Sequence, residues 1–421
     1  MKFYRSMAFA VTLVLAIVLS TACAQKQVPQ EQETEEIVIG IIDDFSGPMA
    51  SMCLAYLDAE NDAVRYINEK QGGILGHPIK TIVIDHRMDS TLAISGWDRL
   101  KTEQVPLVIS VTAPAATVLQ TSCQDDGIPI IAGGGNIDQA YPTEPSYYFM
   151  NVPALYGVFE SVCDLTLKDW TQKGKTGKPK IGFDVVSIGS YNKIFSKMSR
   201  MAAEKYGLEY IITATSIAPA DAATQVLQVK NFGCDYMYLH GTESAVIVWL
   251  KDMERQNFHP IIFGSTGLAA PELFSATGEL CVGTTYYAHG PQWTDMNRPG
   301  IEMLHKLNSE WHPEVKDRPG HYCRGFVSFL ANAEVVKRAV EKAGHSNLNG
   351  DAIKDAFEHT QNYEPAEMGV EYSWTASDHQ GIHGCSWYTW TEDGIGVAAS
   401  DWYEFEPLTG EQRTQAWWLT E

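Results

Sequence analysis

The sequence predicts an α/β protein of two doubly wound parallel-sheet lobes joined by a multi-crossover hinge. Three observations lead there. At 421 residues the chain is about three times the length of a typical domain, so a single core is not expected. Its composition, 45% hydrophobic and 20% charged with no low-complexity block, is that of a folded globular protein. From Ile37 to about Phe263, strand-like apolar runs alternate with helix-like amphipathic stretches in two consecutive series. That alternation is the mark of βαβ units around parallel sheets.

The elements follow in chain order. Lys2 and Arg5 precede an apolar run from Met7 to Leu19 and the small residues Ser20 to Ala24, the layout of a secretory signal peptide. The run is shorter than the roughly 20 apolar residues that cross a bilayer, and no other stretch reaches that length. Two processing outcomes compete. Ala22-Cys23-Ala24 fits cleavage after Ala24, whereas the residues up to Cys23 resemble a lipoprotein box with Cys23 lipidated; the second is preferred. The polar, Pro-containing stretch that follows buries nothing and is expected to act as a tether.

In the first series the expected strands are Ile37 to Ile42, Ile79 to Asp85, Val105 to Val111 and Pro129 to Ala132. Leu54, Leu57, Val64 and Ile67 lie at helical spacing before Gly72-Gly73. A break falls near Tyr148 to Pro153. The second series runs strand Lys180 to Ile188, helix Tyr191 to Tyr206, strand Glu209 to Ile217, helix Ala222 to Asn231, strand Tyr236 to His240, helix Ser244 to Gln256 and strand Ile261 to Phe263. From Val282 the pattern changes to a strand ending at Tyr287, helices at Pro299 to Trp311 and Tyr322 to Ala343, and a Trp- and Tyr-rich segment from Glu371 to Trp418. These segments are expected to return the chain to each lobe. The expected division is 1–23 signal peptide, 24–36 tether, 37–150 plus 288–365 first lobe, and 151–287 plus 366–421 second lobe.

Charge and motif content narrow the function. Lys plus Arg total 31 against 52 Asp plus Glu, a net charge of −21 that becomes −23 once Lys2 and Arg5 leave with the signal. Such a field repels polyanions, so nucleic acid is not an expected partner. Eight cysteines are too sparse for a disulfide scaffold, although Cys53 and Cys123 fall on helices of one lobe and are able to meet. His379, His383 and Cys385, like His321 and Cys323, lack the paired second half that a zinc site needs. Gly133 to Gly135 carries no phosphate-loop signature. Ser190 and Ser265 lack the nucleophile elbow, so hydrolytic chemistry has no foothold.

Four stretches then carry a resemblance: IVIGIIDDFSGPMA with Ser46-Gly47-Pro48, YINEKQGGILGHPIKTIVID at Tyr66 to Asp85, CQDDGIPIIAGGGN at Cys123 to Asn136, and DAATQVLQVKNFGCDYMYL at Asp221 to Leu239. In order and spacing the chain resembles the type I periplasmic solute-binding proteins of ABC importers, specifically the branched-chain amino-acid-binding family. The resemblance implies a ligand cleft between the lobes, lined by Ser46, Thr112, Ala113, Thr117, Gly134 and Asn136 from the first and by Tyr191, Thr242, Glu243 and Thr266 from the second. Amino-acid-binding members present an aromatic hydroxyl and a carboxylate where Thr242 and Thr266 stand here. Glu243 substitutes for that carboxylate if the alignment shifts by one residue; otherwise the ligand is a non-amino compound such as a carboxylate, amide or aromatic acid. The implied activity is capture of a small amino acid or related compound and delivery to an ABC permease. No cofactor, metal or catalysis is implied, the protein is expected as a monomer in the periplasm or at the cell surface, and the membrane is met only through lipidated Cys23. A ligand sensor of the same fold and an exported enzyme are the alternative readings.

Overall fold

The structure, a computed structural model, describes residues 35–135, 137–188, 191–269 and 271–420. The signal-peptide expectation, Cys23 and Asn136 lie outside the described residues, as does nearly all of the expected tether.

The first sheet is parallel, with strands β1 (Ile37–Asp43), β2 (Ile79–Asp85), β3 (Val108–Ser110), β4 (Ile130–Ala132) and β5 (Tyr148–Met150) in the order β2-β1-β3-β4-β5. β1 reads IVIGIID because a central parallel strand is covered on both faces. It is followed by helix α1 (Ala50–Arg65), which buries Cys53, Tyr56, Ala59, Glu60 and Ala63, while Leu54 is exposed. The face expected from Leu54 and Leu57 is thus rotated, because the packing partner is the 24-residue helix Gly320–Ala343, whose Gly325 nests against Ala59 and Tyr56.

The turn between α1 and β2 shows why its sequence is so particular. Asn68 brackets β2, its Nδ2 donating to Ile79 O and its Oδ1 accepting from Ile79 N–H, both at 2.8 Å. Gly72, Gly73 and Gly76 all have positive φ, and a Cβ on Gly73 would strike the His77 carbonyl, so only glycine closes the turn. Helices α2 (Ser90–Thr102), α3 (Ala113–Val118), α4 (Gln120–Asp126) and α5 (Ile137–Ala140) complete this half. Asp89 caps α2 by accepting from Thr91 and Leu92 N–H.

The second sheet follows helix α6 (Leu155–Gln172) and contains β6 (Lys180–Val186), β7 (Glu209–Thr215), β8 (Tyr236–Leu239), β9 (Ile261–Gly264), β10 (Thr285–Ala288), β11 (Gly384–Trp390), β12 (Gly396–Ala398) and β13 (Tyr403–Glu404). Its order is β12-β11-β10-β9-β8-β6-β7, with β13 on β11. Strands β6 to β10 pair in parallel; β11 turns antiparallel to β10, and β12 and β13 antiparallel to β11. Helices α7 (Tyr191–Lys205), α8 (Ala223–Phe232), α9 (Glu243–Arg255) and α10 (Pro271–Thr277) connect the parallel strands. Helices α11 (Pro299–Trp311), α12 (Gly320–Ala343) and α13 (Gly350–Glu358) rejoin the first sheet, packing Ile301, Leu304, Phe326, Val336 and Phe357 into one core with Ile39 and Phe149. Met368, Val370, Tyr372, Trp374 and Ile382 stay in that same core, so the chain re-enters the second sheet only at Gly384. Helix α14 (Gln415–Leu419) then packs on α6, where Trp418 meets Tyr156, and is tied to α7, whose Lys197 Nζ donates to Trp417 O at 2.5 Å.

Two passages between the sheets run side by side and are tied together. Met150 N–H donates to His379 O at 2.8 Å and Gly381 N–H to Met150 O at 2.7 Å. Trp374 Nε1 donates to the same carbonyl at 2.8 Å, and Ala154 N–H to Gln380 Oε1 at 2.6 Å. His379 stacks on Phe149 at 4.0 Å with Nδ1 on Tyr148 O, which accounts for its place in the sequence as packing. Among the described residues no group of His, Cys, Asp and Glu is placed to hold a metal ion. Cys53 and Cys123 are separate buried thiols.

Candidate functional site

Open parallel sheets leave their loops at the strand carboxyl ends, and a ligand crevice forms there. Here both sheets contribute such ends to one cavity of about 470 Å³, within the usual range of ligand pockets. The first sheet supplies Pro48 and Met49 after β1, Val111 and Ala113 after β3, Gly133 to Gly135 after β4, and Met150 and Val152 at the end of β5. The second supplies Ile188 after β6, Ile217 after β7, His240 to Glu243 after β8, Ser265 to Gly267 after β9, and Tyr287 and His289 at the end of β10. Helix α7 adds Tyr191, Ile194, Phe195 and Met198. Most of this wall is apolar.

Of the residues singled out by sequence, Ala113, Gly134, Tyr191, Thr242, Glu243 and Thr266 lie in the cavity wall. Ser46 does not: it is exposed, and its hydroxyl donates to Asp85 Oδ2 at 2.6 Å while Phe45 N–H donates to Oδ1. That pair pins the loop to β2, and the chain reaches the cavity only at Pro48, Met49, Ser51 and Met52. Thr112 is fully buried behind the wall, its hydroxyl on Asp43 Oδ1 at 2.9 Å and 2.8 Å from His86 Nε2. Thr117 stands one step back and meets the wall through Tyr191, the two hydroxyls 3.1 Å apart. This bond joins α3, beside the first sheet, to α7, beside the second.

The loops are held by polar groups that bond to one another. Asp43, buried at the end of β1, accepts from Val111 N–H and Thr112 N–H at 2.9 Å each and from the Ser110 hydroxyl at 3.3 Å. Burial outweighs these bonds and raises its pKa to about 7. Thr242 is the N-cap of α9, accepting from Ala245 N–H and donating to Ile217 O at 2.5 Å, so its hydroxyl is already engaged. The Ser265 hydroxyl donates to Gly241 O at 2.9 Å and accepts from Gly267 N–H, zipping two loops. A Cβ on Gly267 would collide with Gly241 O, and one on Gly133 with Val111 O.

Sequence reasoning placed none of three histidines in the cleft, and weighed His321 only as a metal ligand. His240, His289 and His321 all line the cavity. Two share a signal: Tyr238-Leu239-His240-Gly241 and Tyr287-Ala288-His289-Gly290 repeat one motif at the ends of β8 and β10. His240 is wedged edge-on to Phe195 at 4.6 Å, and burial lowers its pKa to about 4, leaving a neutral ring whose Nδ1 has no partner. His289 and His321 are pushed well below their ordinary value by burial and by the nearby charge of Arg324.

Comparison with known proteins agrees with this geometry. Residues 36–394 match the family model described as periplasmic binding protein. Among solved structures, the chain is similar to a fatty acid ABC transporter substrate-binding protein from Thermomonospora curvata, at 20% identity and TM-score 0.75 over 88% of this chain and 93% of that one. A branched-chain amino acid ABC transporter protein from Thermus thermophilus with bound valine matches at 18% and 0.75, over 88% and 97%. A leucine-binding protein from Thermotoga maritima matches at 15% and 0.72, over 86% and 98%. No curated protein matches the sequence.

Proposed function

The chain belongs to the periplasmic binding protein family, and on that premise we propose that it is the extracytoplasmic solute-binding receptor of an ABC importer. The ligand is a small amino acid or a related organic acid, amide or aromatic compound, captured between the two sheets and handed to a membrane permease without covalent chemistry. We take the chain to act as a monomer, held near the membrane through Cys23. The observation that carries this reading is the cavity whose wall is made of strand carboxyl ends from both sheets. A ligand there touches both halves at once, so its binding energy favours the closed arrangement over the open one. The paired passages at Met150 and Gln380 give the motion a hinge, and the Thr117–Tyr191 bond gives it a latch.

Neutral histidines, methionines and isoleucines in the wall favour a ligand with substantial apolar surface, worth about 25 cal/mol for each Å² taken from water. A thermal-shift screen over amino acids, amides, dicarboxylates and aromatic acids tests the reading. A ligand at about a hundred times its Kd stabilises by roughly 2.7 kcal/mol, which is a rise of several degrees. Absence of any shift across the screen, or turnover of the compound that binds, would oppose it.

A further inference from the structure

One end of the cavity is built against a buried positive charge that the protein does not neutralise. Arg324, early in α12, is 1% exposed. Its Nη2 donates to His321 Nδ1 at 2.5 Å and the guanidinium also meets the Tyr56 hydroxyl, but Nε and Nη1 find no charged partner. Among the described residues no carboxylate pairs with it. Asp295 is engaged by Gln292 N–H at 3.0 Å, the Tyr388 hydroxyl at 2.7 Å and Arg298. Glu60, on the neighbouring α1, is driven toward its neutral acid by burial and by Asp43. An unpaired guanidinium in a dry interior is strongly unfavourable, and a fold keeps one where an anion completes it.

Arg324 stands directly behind the cavity wall. His321, its bonded neighbour, lines the cavity, and so does His289. The backbone after His289 lies against the Arg324 stem, since a Cβ added to Gly290 would sit 2.9 Å from Arg324 Cγ. Because His321 Nδ1 accepts from the guanidinium, its Nε2 carries the ring proton and is a donor. His289 Nδ1 has no partner. His321 also lies in the first turn of α12, whose dipole favours negative charge. The rest of the wall is hydrocarbon and thioether, including Met49, Met52, Ile194 and Met198.

We propose that His289, His321 and Arg324 form an anion pocket for the carboxylate of an apolar monocarboxylic acid, an alkanoate or aryl-alkanoate, whose tail fills the Met- and Ile-lined remainder. This deepens the receptor reading and rests on it. An α-amino acid fits the arrangement poorly. Its two charges are neighbours, whereas the wall's acid, Glu243, follows β8, and β8 is separated from β10 and His289 by β9. Two strand spacings set their backbones roughly 10 Å apart, so both side chains would have to reach toward each other to serve one ligand carboxylate and its α-ammonium together.

The test is calorimetric titration of octanoate, 3-phenylpropionate, their uncharged amides, and leucine into the wild type and into Arg324→Met and Arg324→Lys. The expected result is that the carboxylates bind the wild type one to one, with each amide weaker by about 30-fold or more. Arg324→Met loses that preference and binds acid and amide alike, Arg324→Lys retains part of it, and Arg324→Met melts higher than the wild type without ligand because the unpaired charge is gone. If Arg324→Met does not fold, His289→Phe supplies the second comparison, with the acid-over-amide preference reduced. Equal binding of acids and amides by the wild type overturns the proposal, as does an unchanged preference in the variants. Leucine binding in the cavity while both acids fail overturns the anion pocket and leaves the receptor reading standing; no binding by any compound overturns both.

Discussion

Thr117 and Tyr191 show how single side chains set the balance of such a molecule. Their hydroxyls are 3.1 Å apart on helices that belong to different sheets, so the bond exists only when the halves are together. Thr117→Val and Tyr191→Phe are each expected to weaken ligand binding about five- to tenfold, the worth of one hydrogen bond. The double variant is expected to be no weaker than the worse single one, since both remove the same bond; additive losses in a titration would show that the residues act separately. His240 governs a different property. Its pKa is near 4 when folded and about 6.5 when unfolded, so the unfolded chain binds the proton more readily. Stability from this group is complete above about pH 6.5 and is lost as pH falls toward 4, by roughly 3 kcal/mol. His289 and His321 act in the same direction. His240→Gln should therefore flatten the acid side of a melting-temperature profile, and an unaltered acid limb would refute the assignment. These histidines were hard to find from sequence because nothing local marks burial. Only the repeated Tyr-aliphatic-His-Gly at two strand ends hints that the positions are equivalent.

At the scale of elements, periodicity located most strands and helices but misjudged what apolar residues at strand ends are for. The sequence pattern runs the strands from Lys180 and Glu209 on to Ile188 and Ile217; the ladders stop at Val186 and Thr215, and both isoleucines stand in the cavity wall. An apolar residue just past a parallel strand is here a cavity-facing residue and not a strand residue. The strand expected from Val105 shrinks to Val108–Ser110, since Val105 is buried by side-chain packing outside the ladder and Leu107 joins it only through its carbonyl, which accepts from Gly40 N–H at 3.0 Å. Leu54 misled in the opposite sense: it has helical spacing, but the face of α1 that is buried is chosen by α12, which joins more than 250 residues later in the chain. Glycines at the loop crossings were legible as turns and not as points of contact. Gly267→Ala would place a methyl against the Gly241 carbonyl and force the two loops apart. The expected outcome is a loss of ligand affinity of tenfold or more with a destabilisation of about 1–3 kcal/mol; unchanged titration and melting would show that the crossing tolerates the displacement.

The molecule as a whole is a two-sheet receptor whose acidity and ligand preference live at different scales. A net charge of −21 repels anions at long range, so the proposed carboxylate ligand would have to be held by what surrounds it within the cavity. The fold was legible because alternating patterns, the three-glycine turn and the order of four family-like stretches all pointed one way. The site was only half legible. Resemblance located the loops, whereas the identity of the groups behind the wall, Arg324 above all, depends on helices that return from the far end of the chain. The central claim is that this cavity reversibly holds one small molecule. Titration calorimetry of the tightest ligand into the wild type and into Ala113→Trp, with the ligand recovered afterwards, tests it most directly. The account predicts one site per chain, a ligand recovered chemically unchanged, and loss of binding in Ala113→Trp without loss of folding. Undiminished binding to Ala113→Trp, or recovery of a reaction product, would contradict it.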